Sequence, residues 1–202
     1  MEEAIRFFGE LGYEGTSVQT IADAVGIRKQ SLFHYFKTKE ELRQAVVMDL
    51  LGHWEMELPR LLAEASSGYD RFSTTITALV EFFLEDVNRA KMAIREMLDR
   101  PKETSQVISE QLKPWITLMV NYIQVGKSSG VIKKTVEPES FILLVMMMSI
   151  GTVAFGSVAT AMTETGGEKA KESMTQEMVR VARDSLFVDR PDKTNQSGRK
   201  NG

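Results

Sequence analysis

TSVQTIADAVGIRKQSLFHYFKTKEEL, residues 16–42, is punctuated like two short helices, a tight turn between them, and the start of a third. Thr16 is suited to N-cap the first helix, with Gln19 three residues on as the second half of a capping box. Ile21, Ala22 and Val25 give that helix one apolar face, and Gly26 supplies the residue that ends it. Arg28, Lys29, Gln30 and Ser31 then open the second helix as a polar, basic run, and Leu32, Phe33 and Phe36 close it with apolar bulk. Thr38 and Glu41 stand at the capping-box positions of the third helix.

Two short helices around a glycine turn match a helix-turn-helix, whose second helix presents its N-terminal residues to base edges in the major groove. Arg28 and Lys29 suit guanine, Gln30 suits adenine, and Ser31 suits either. Between positions 28 and 43 there are five Lys or Arg against two Glu, a local positive field on a chain of net charge −3. Phosphate neutralisation needs such a patch and does not need a basic protein. The same residues would also serve a plain three-helix subdomain with a solvated basic face, but that reading does not explain the joint spacing of caps, glycine and aromatics.

Residues 4–42 resemble the DNA-binding domain of the TetR family of transcriptional regulators. The resemblance rests on Ala4, Phe8 and Gly12-Tyr13, then Thr16-Ser17-Val18, Ile21-Ala22 and Val25-Gly26-Ile27, then residues 31–36, SLFHYF, and 37–42, KTKEEL. It implies a DNA-facing set of Ser17, Gln19, Arg28, Lys29, Gln30, Ser31, Phe33, His34, Tyr35, Lys37 and Lys39. The family usually has Tyr where this chain has Phe33, which removes one hydroxyl from that set. The family's pattern also begins several residues before Glu2, so the first helix is expected to be shortened. The resemblance further implies an all-α chain. Residues 1–44 would form the helix-turn-helix domain, and residues 45–188 a helical ligand-binding and dimerisation domain. Residues 189–202, DRPDKTNQSGRKNG, hold no large apolar residue and read as a disordered tail.

Composition fits this picture. With 202 residues, 43% of them hydrophobic, the chain is long enough for one large or two small domains. Cysteine is absent, which removes disulfides and thiolate metal sites, and two histidines are too few for a dedicated transition-metal site. No signal-peptide pattern follows Met1, so a cytoplasmic location is expected. No HExxH, P-loop or strand-borne GxGxxG occurs, and no nucleophile–base pair stands out, so neither an enzyme nor a cofactor is expected.

No alternating strand pattern with turn signals appears anywhere in the chain, which therefore reads as all-α. Pro59 and Pro114 are expected to bend or divide the helices that contain them. The 22 residues 141–162, FILLVMMMSIGTVAFGSVATAM, carry no charge. Their length permits a membrane span. The acidic flanks Glu137, Glu139, Glu164 and Glu168 set no orientation, which favours a helix buried against its own core and a partner subunit. Helices over 138–163 and 168–187 would then pair with their copies in a homodimer on palindromic double-stranded DNA.

The function read from these residues is a repressor released from its operator by a small hydrophobic ligand. A constitutive regulator without inducer, and a membrane-anchored one using 141–162, are the alternatives. Candidate ligand contacts are the large apolar residues Phe83, Met92, Trp115, Met119, Tyr122, Met147 and Met148, with Arg95 as a polar anchor. Taken one by one, plain core packing accounts for each of the apolar residues better than a ligand contact does.

Overall fold

The computed structural model describes residues 1–64, 68–164 and 166–188. Among these residues the secondary structure is helical, apart from one isolated antiparallel bridge between Ile132 and Phe187. The expected tail 189–202 lies outside the described residues.

The head is built from α1 (Glu2–Gly15), α2 (Val18–Val25), α3 (Lys29–Tyr35) and the first turns of α4 (Lys39–Glu64). Ala4, Ile5 and Phe8 of α1 recur at helical spacing and are buried against Val18, Ile21, Ala22, Leu32, Leu42 and Val46. At Gly12 the dihedrals turn non-helical (φ 73°, ψ 175°), and a last turn continues to Gly15. Thr16 does not cap α2. Its hydroxyl donates to the carbonyls of Phe7 and Gly12, so it fastens the end of α1. Ser17 takes the N-cap position and accepts from Thr20 N at 3.0 Å. Gly26 ends α2 in the left-handed region (φ 74°), where a Cβ would be strained. The box at the start of α4 forms as read: Glu41 N donates to Thr38 Oγ1, and the Glu41 carboxylate accepts from Lys37 N.

The body comprises the rest of α4 with α5 (Gly68–Glu85), α6 (Val87–Asp99), α7 (Pro101–Ser128), α8 (Pro138–Ala154), the short α9 (Gly156–Thr160) and α10 (Gly167–Leu186). Its main core joins Trp54, Leu58 and Leu61 to Ile76, Val80, Phe82 and Phe83, and these to Val145, Ile150, Val153, Met178 and Ala182. A smaller cluster of Ile123, Ile132, Ile142, Leu186 and Phe187 sits where the α7–α8 connection meets the end of α10.

Pro59 and Pro114 divide nothing: α4 and α7 each run through their proline as one helix. The uncharged run 141–162 is not one helix, because α8 ends at Ala154, Phe155 is non-helical (φ −99°, ψ 2°), and α9 is only five residues long. No helix among the described residues is long and apolar enough to cross a membrane.

Head and body share one seam. Gly9 of α1 packs against α6 so closely that a Cβ there would lie 2.9 Å from Asn88 O. Arg95 of α6 donates through Nε to Gly9 O and through Nη2 to Glu10 O. Met92, 1% exposed, belongs to α6 but fills the head's core.

Candidate nucleic-acid interface and ligand cavity

α3 has a single buried residue, Leu32, which anchors it on the head. Everything else at its N-terminus is turned outward: Arg28, Lys29, Gln30 and Ser31 are all exposed. Arg28 is the N-cap residue and makes no side-chain capping bond, so its guanidinium is not used to hold the helix. Lys29 Nζ lies 5.5 Å from the centre of the half-buried Phe33 ring. Tyr35 is an aromatic residue that is 75% exposed, with His34 edge-on beside it. An aromatic residue left in solvent next to a basic helix face is the unusual feature here, since aromatic surface is normally covered.

The flanking contacts divide into free and engaged groups. Ser17 and Gln19 are exposed at the start of α2, but Ser17 is bonded to Thr20 and Gln19 donates to Asp23 Oδ1. Lys37 Nζ donates to His34 O. Lys39 stands at the start of α4 with its Nζ 4.1 Å from the centre of the Tyr13 ring, whose ring also lies 4.3 Å from Arg100 Cζ. Lys39 thus adds its charge to the positive end of the α4 dipole.

Arg43 leaves the basic patch that composition assigned it to. It is 5% exposed, hydrogen-bonded to Glu40 Oε1 (2.6 Å from Nη2) and paired through Nη1 with Glu96 of α6. Arg100 Nη1 lies 3.2 Å from Glu40 Oε2 and extends the network. Burial pushes the Glu96 carboxyl above its ordinary range, against the pull of Arg43. The Arg43 hydrogen bond holds Glu40 below its ordinary range. Sequence reading missed this pair because its members are 53 positions apart.

The body contains a cavity of about 650 Å³ lined from α4, α5, α6, α7, α8 and α10. That volume lies within the range of about 300–1,000 Å³ found for small-molecule sites. Phe83, Met92, Trp115, Met119 and Tyr122 all line it. Arg95, Met147 and Met148 do not. Arg95 is held on α1 through the Gly9 and Glu10 carbonyls. Met147 and Met148 project from the outer side of α8, 57% and 36% exposed. Both tryptophans of the chain, Trp54 and Trp115, line the cavity, as do Met92, Ala93, Glu96 and Met97 of α6. Sequence reading also missed Arg71 and Thr75 of α5, which line it beside Phe72, Ile76 and Leu79. The available signal was their position on the same helical row as Leu79 and Phe82.

From Leu144 onward the outer side of α8 is apolar. Leu144, Met147, Met148 and, past the break, Phe155 and Val158 are exposed at helical spacing, with Gly151 among them. Contiguous exposed apolar patches are the usual mark of interaction sites.

Comparison with known proteins places these features. A model of the bacterial regulatory proteins of the tetR family matches residues 1–46. The fatty acid metabolism regulator protein of Bacillus subtilis is 23% identical over 153 residues, covering 76% of this chain and 77% of that one. The HTH-type transcriptional repressor KstR2 of Mycolicibacterium smegmatis is 26% identical over 128 residues, 59% of this chain and 60% of its own. Among solved structures, the ketosteroid transcriptional regulator KstR2 of Mycobacterium tuberculosis superposes with a TM-score of 0.73 at 18% identity, covering 93% of each chain. The fatty acid degradation regulator FadR of Bacillus halodurans superposes with a TM-score of 0.71 at 17% identity, covering 92% of this chain and 96% of that one.

Proposed function

We propose that this chain is a DNA-binding transcriptional regulator of TetR type, a reading supported by the family match over residues 1–46, and that it acts as a homodimeric repressor released from its operator by a small hydrophobic ligand. The observation that carries the DNA half is the outward-turned N-terminus of α3. Four polar or basic side chains there are exposed, while one leucine fastens the helix behind them. In this reading residues 1–44 form the DNA-binding domain and residues 45–188 the ligand-binding and dimerisation domain. Arg28, Lys29, Gln30 and Ser31 address base edges, and Lys37, Lys39, Ser17, Gln19, His34 and Tyr35 address the backbone. Two copies meet through the apolar stripe of α8 together with α10, and the two-fold axis imposes a palindromic operator.

The apolar lining of the cavity supports a hydrophobic ligand. The names of the relatives point the same way, one referring to fatty acid metabolism and another to ketosteroids. Release follows from the seam between head and body. α6 touches the cavity with Met92, Ala93, Glu96 and Met97, and it holds α1 through Arg95 and α4 through Glu96. A ligand that prefers one placement of α6 therefore prefers one spacing of the two recognition helices. It lowers operator affinity by that difference and no more.

The test is selection of bound fragments from sheared genomic DNA of the source organism by the purified chain at near-physiological salt. Enrichment of one palindromic site is the expected result, and the absence of any enriched site would sink the proposal. Two substitutions then separate the roles. Gln30→Ala should relax base preference at defined operator positions by about 1–3 kcal/mol, and Lys29→Ala should do so at neighbouring positions. An unchanged preference profile in a binding-site selection would remove both from base reading. Lys39→Ala should weaken binding to every sequence alike and reduce the slope of log K against log salt by about 0.9. A loss confined to one base pair would contradict its phosphate role.

A further inference from the structure

The cavity is apolar almost throughout, and its lining contains two charged residues, Arg71 and Glu96. Glu96 is engaged by Arg43. Arg71 is not comparably matched. Its Nε is fully buried and has no hydrogen-bond partner. Its guanidinium carbon lies 5.5 Å from the centre of the Tyr122 ring, another lining residue. One helical turn along α5, the Thr75 hydroxyl is also buried without a partner. It does not take the carbonyl of its own helix four residues back, the usual resort of a buried threonine. Two polar groups spaced i, i+4 on one helix therefore border the same apolar space with their hydrogen-bonding capacity unused.

Buried groups left in this condition cost stability, most of all where the group is charged. A cation with no charged partner among the described residues, bordering an apolar cavity, is compensated when the occupant brings an anionic acceptor. A guanidinium pairs with a planar carboxylate through two parallel hydrogen bonds, and a carboxylate carries less charge into an apolar space than a phosphate. The rest of the lining supplies aromatic and aliphatic surface, including Phe72, Leu79, Trp115 and Met119, and has no second free charge to offer. We infer that the cavity ligand is an amphiphilic carboxylate, its head bound by Arg71 with Thr75 as second partner and its apolar body filling the remainder of the space. This assignment rests on the ligand-bearing reading of the cavity given above.

The two tryptophans of the chain both line the cavity, so intrinsic fluorescence reports occupancy without a label. The full-length protein is titrated with dodecanoate and, separately, with its methyl ester, both below their aggregation limits. The acid should bind about tenfold or more tightly than the ester, the effect of one charge-assisted contact. Arg71→Met should erase that preference. Thr75→Val should reduce the preference and retain its sign. Equal affinity for acid and ester in the unsubstituted protein would overturn the carboxylate assignment while leaving the hydrophobic cavity intact. That comparison requires no variant to fold. An Arg71→Met protein that melts normally and keeps the preference would overturn the role of Arg71. Failure of both probes to perturb the tryptophans would overturn the ligand-bearing reading itself, and the assignment with it.

Discussion

Glu96→Ala will cost the folded chain about 3 kcal/mol, the low end of what is lost when one member of a buried ion pair is removed. The reason lies in what remains. Arg43 is 5% exposed and keeps its charge, so it stays in the interior with Glu40 as its remaining hydrogen-bonded carboxylate among the described residues. Glu40 is itself shared with Arg100. For a chain of this length the loss corresponds to a fall in Tm of about 6–12 °C, measurable by circular dichroism. The double replacement Arg43→Met with Glu96→Met should recover most of it, because an apolar pair of similar volume avoids the desolvation of both ions. A Glu96→Ala protein within about 1 kcal/mol of the parent would mean that the pair is not buried in solution.

The second large effect belongs to the outer side of α8. Met147→Glu should convert the protein to a monomer in light scattering and weaken binding to a palindromic operator by about a hundredfold or more. The two half-sites would lose the effective concentration that a dimer provides. Met147 is 57% exposed and has Leu144, Met148 and Phe155 around it on the same stripe. A carboxylate placed there would be buried without a counter-charge in any symmetric pairing of the stripe. Met56, 77% exposed on α4 and outside the stripe, is the control: Met56→Glu should leave mass and affinity unchanged. A Met147→Glu protein that remains dimeric would move the interface elsewhere.

The helix-turn-helix was legible because its signals are local. Gly26 must adopt a left-handed conformation, Thr38 and Glu41 sit within one turn of the bonds they make, and Leu32 is the single apolar residue early in α3. Misreadings begin where the deciding partner is distant. Thr16 and Ser17 are equally good caps on paper. The choice falls to Ser17 because the Thr16 hydroxyl finds Phe7 O, nine residues earlier. Arg43 reads as surface charge until Glu96 is placed beside it. The uniform run 141–162 carried the least information, since a helix apolar all round does not say which side faces the core. Met147 and Met148 were therefore read as cavity residues and stand on the outside, while Val145 and Ser149 face inward. Arg71 and Thr75 were passed over for a similar reason, as polar residues interrupting an apolar stripe they in fact belong to.

Met92 gives the seam between head and body a thermodynamic meaning. Its side chain is 1% exposed and completes the core of the head, although its backbone is in the middle of α6. Losing α6 would leave an unfilled space among Ile5, Phe8, Val46 and their neighbours, and losing the head would strip the cover from Met92. Neither part has a complete interior of its own. Denaturation of the protein should accordingly follow a single cooperative transition, with the slowest-exchanging amides of α1 and α6 opening at one common free energy.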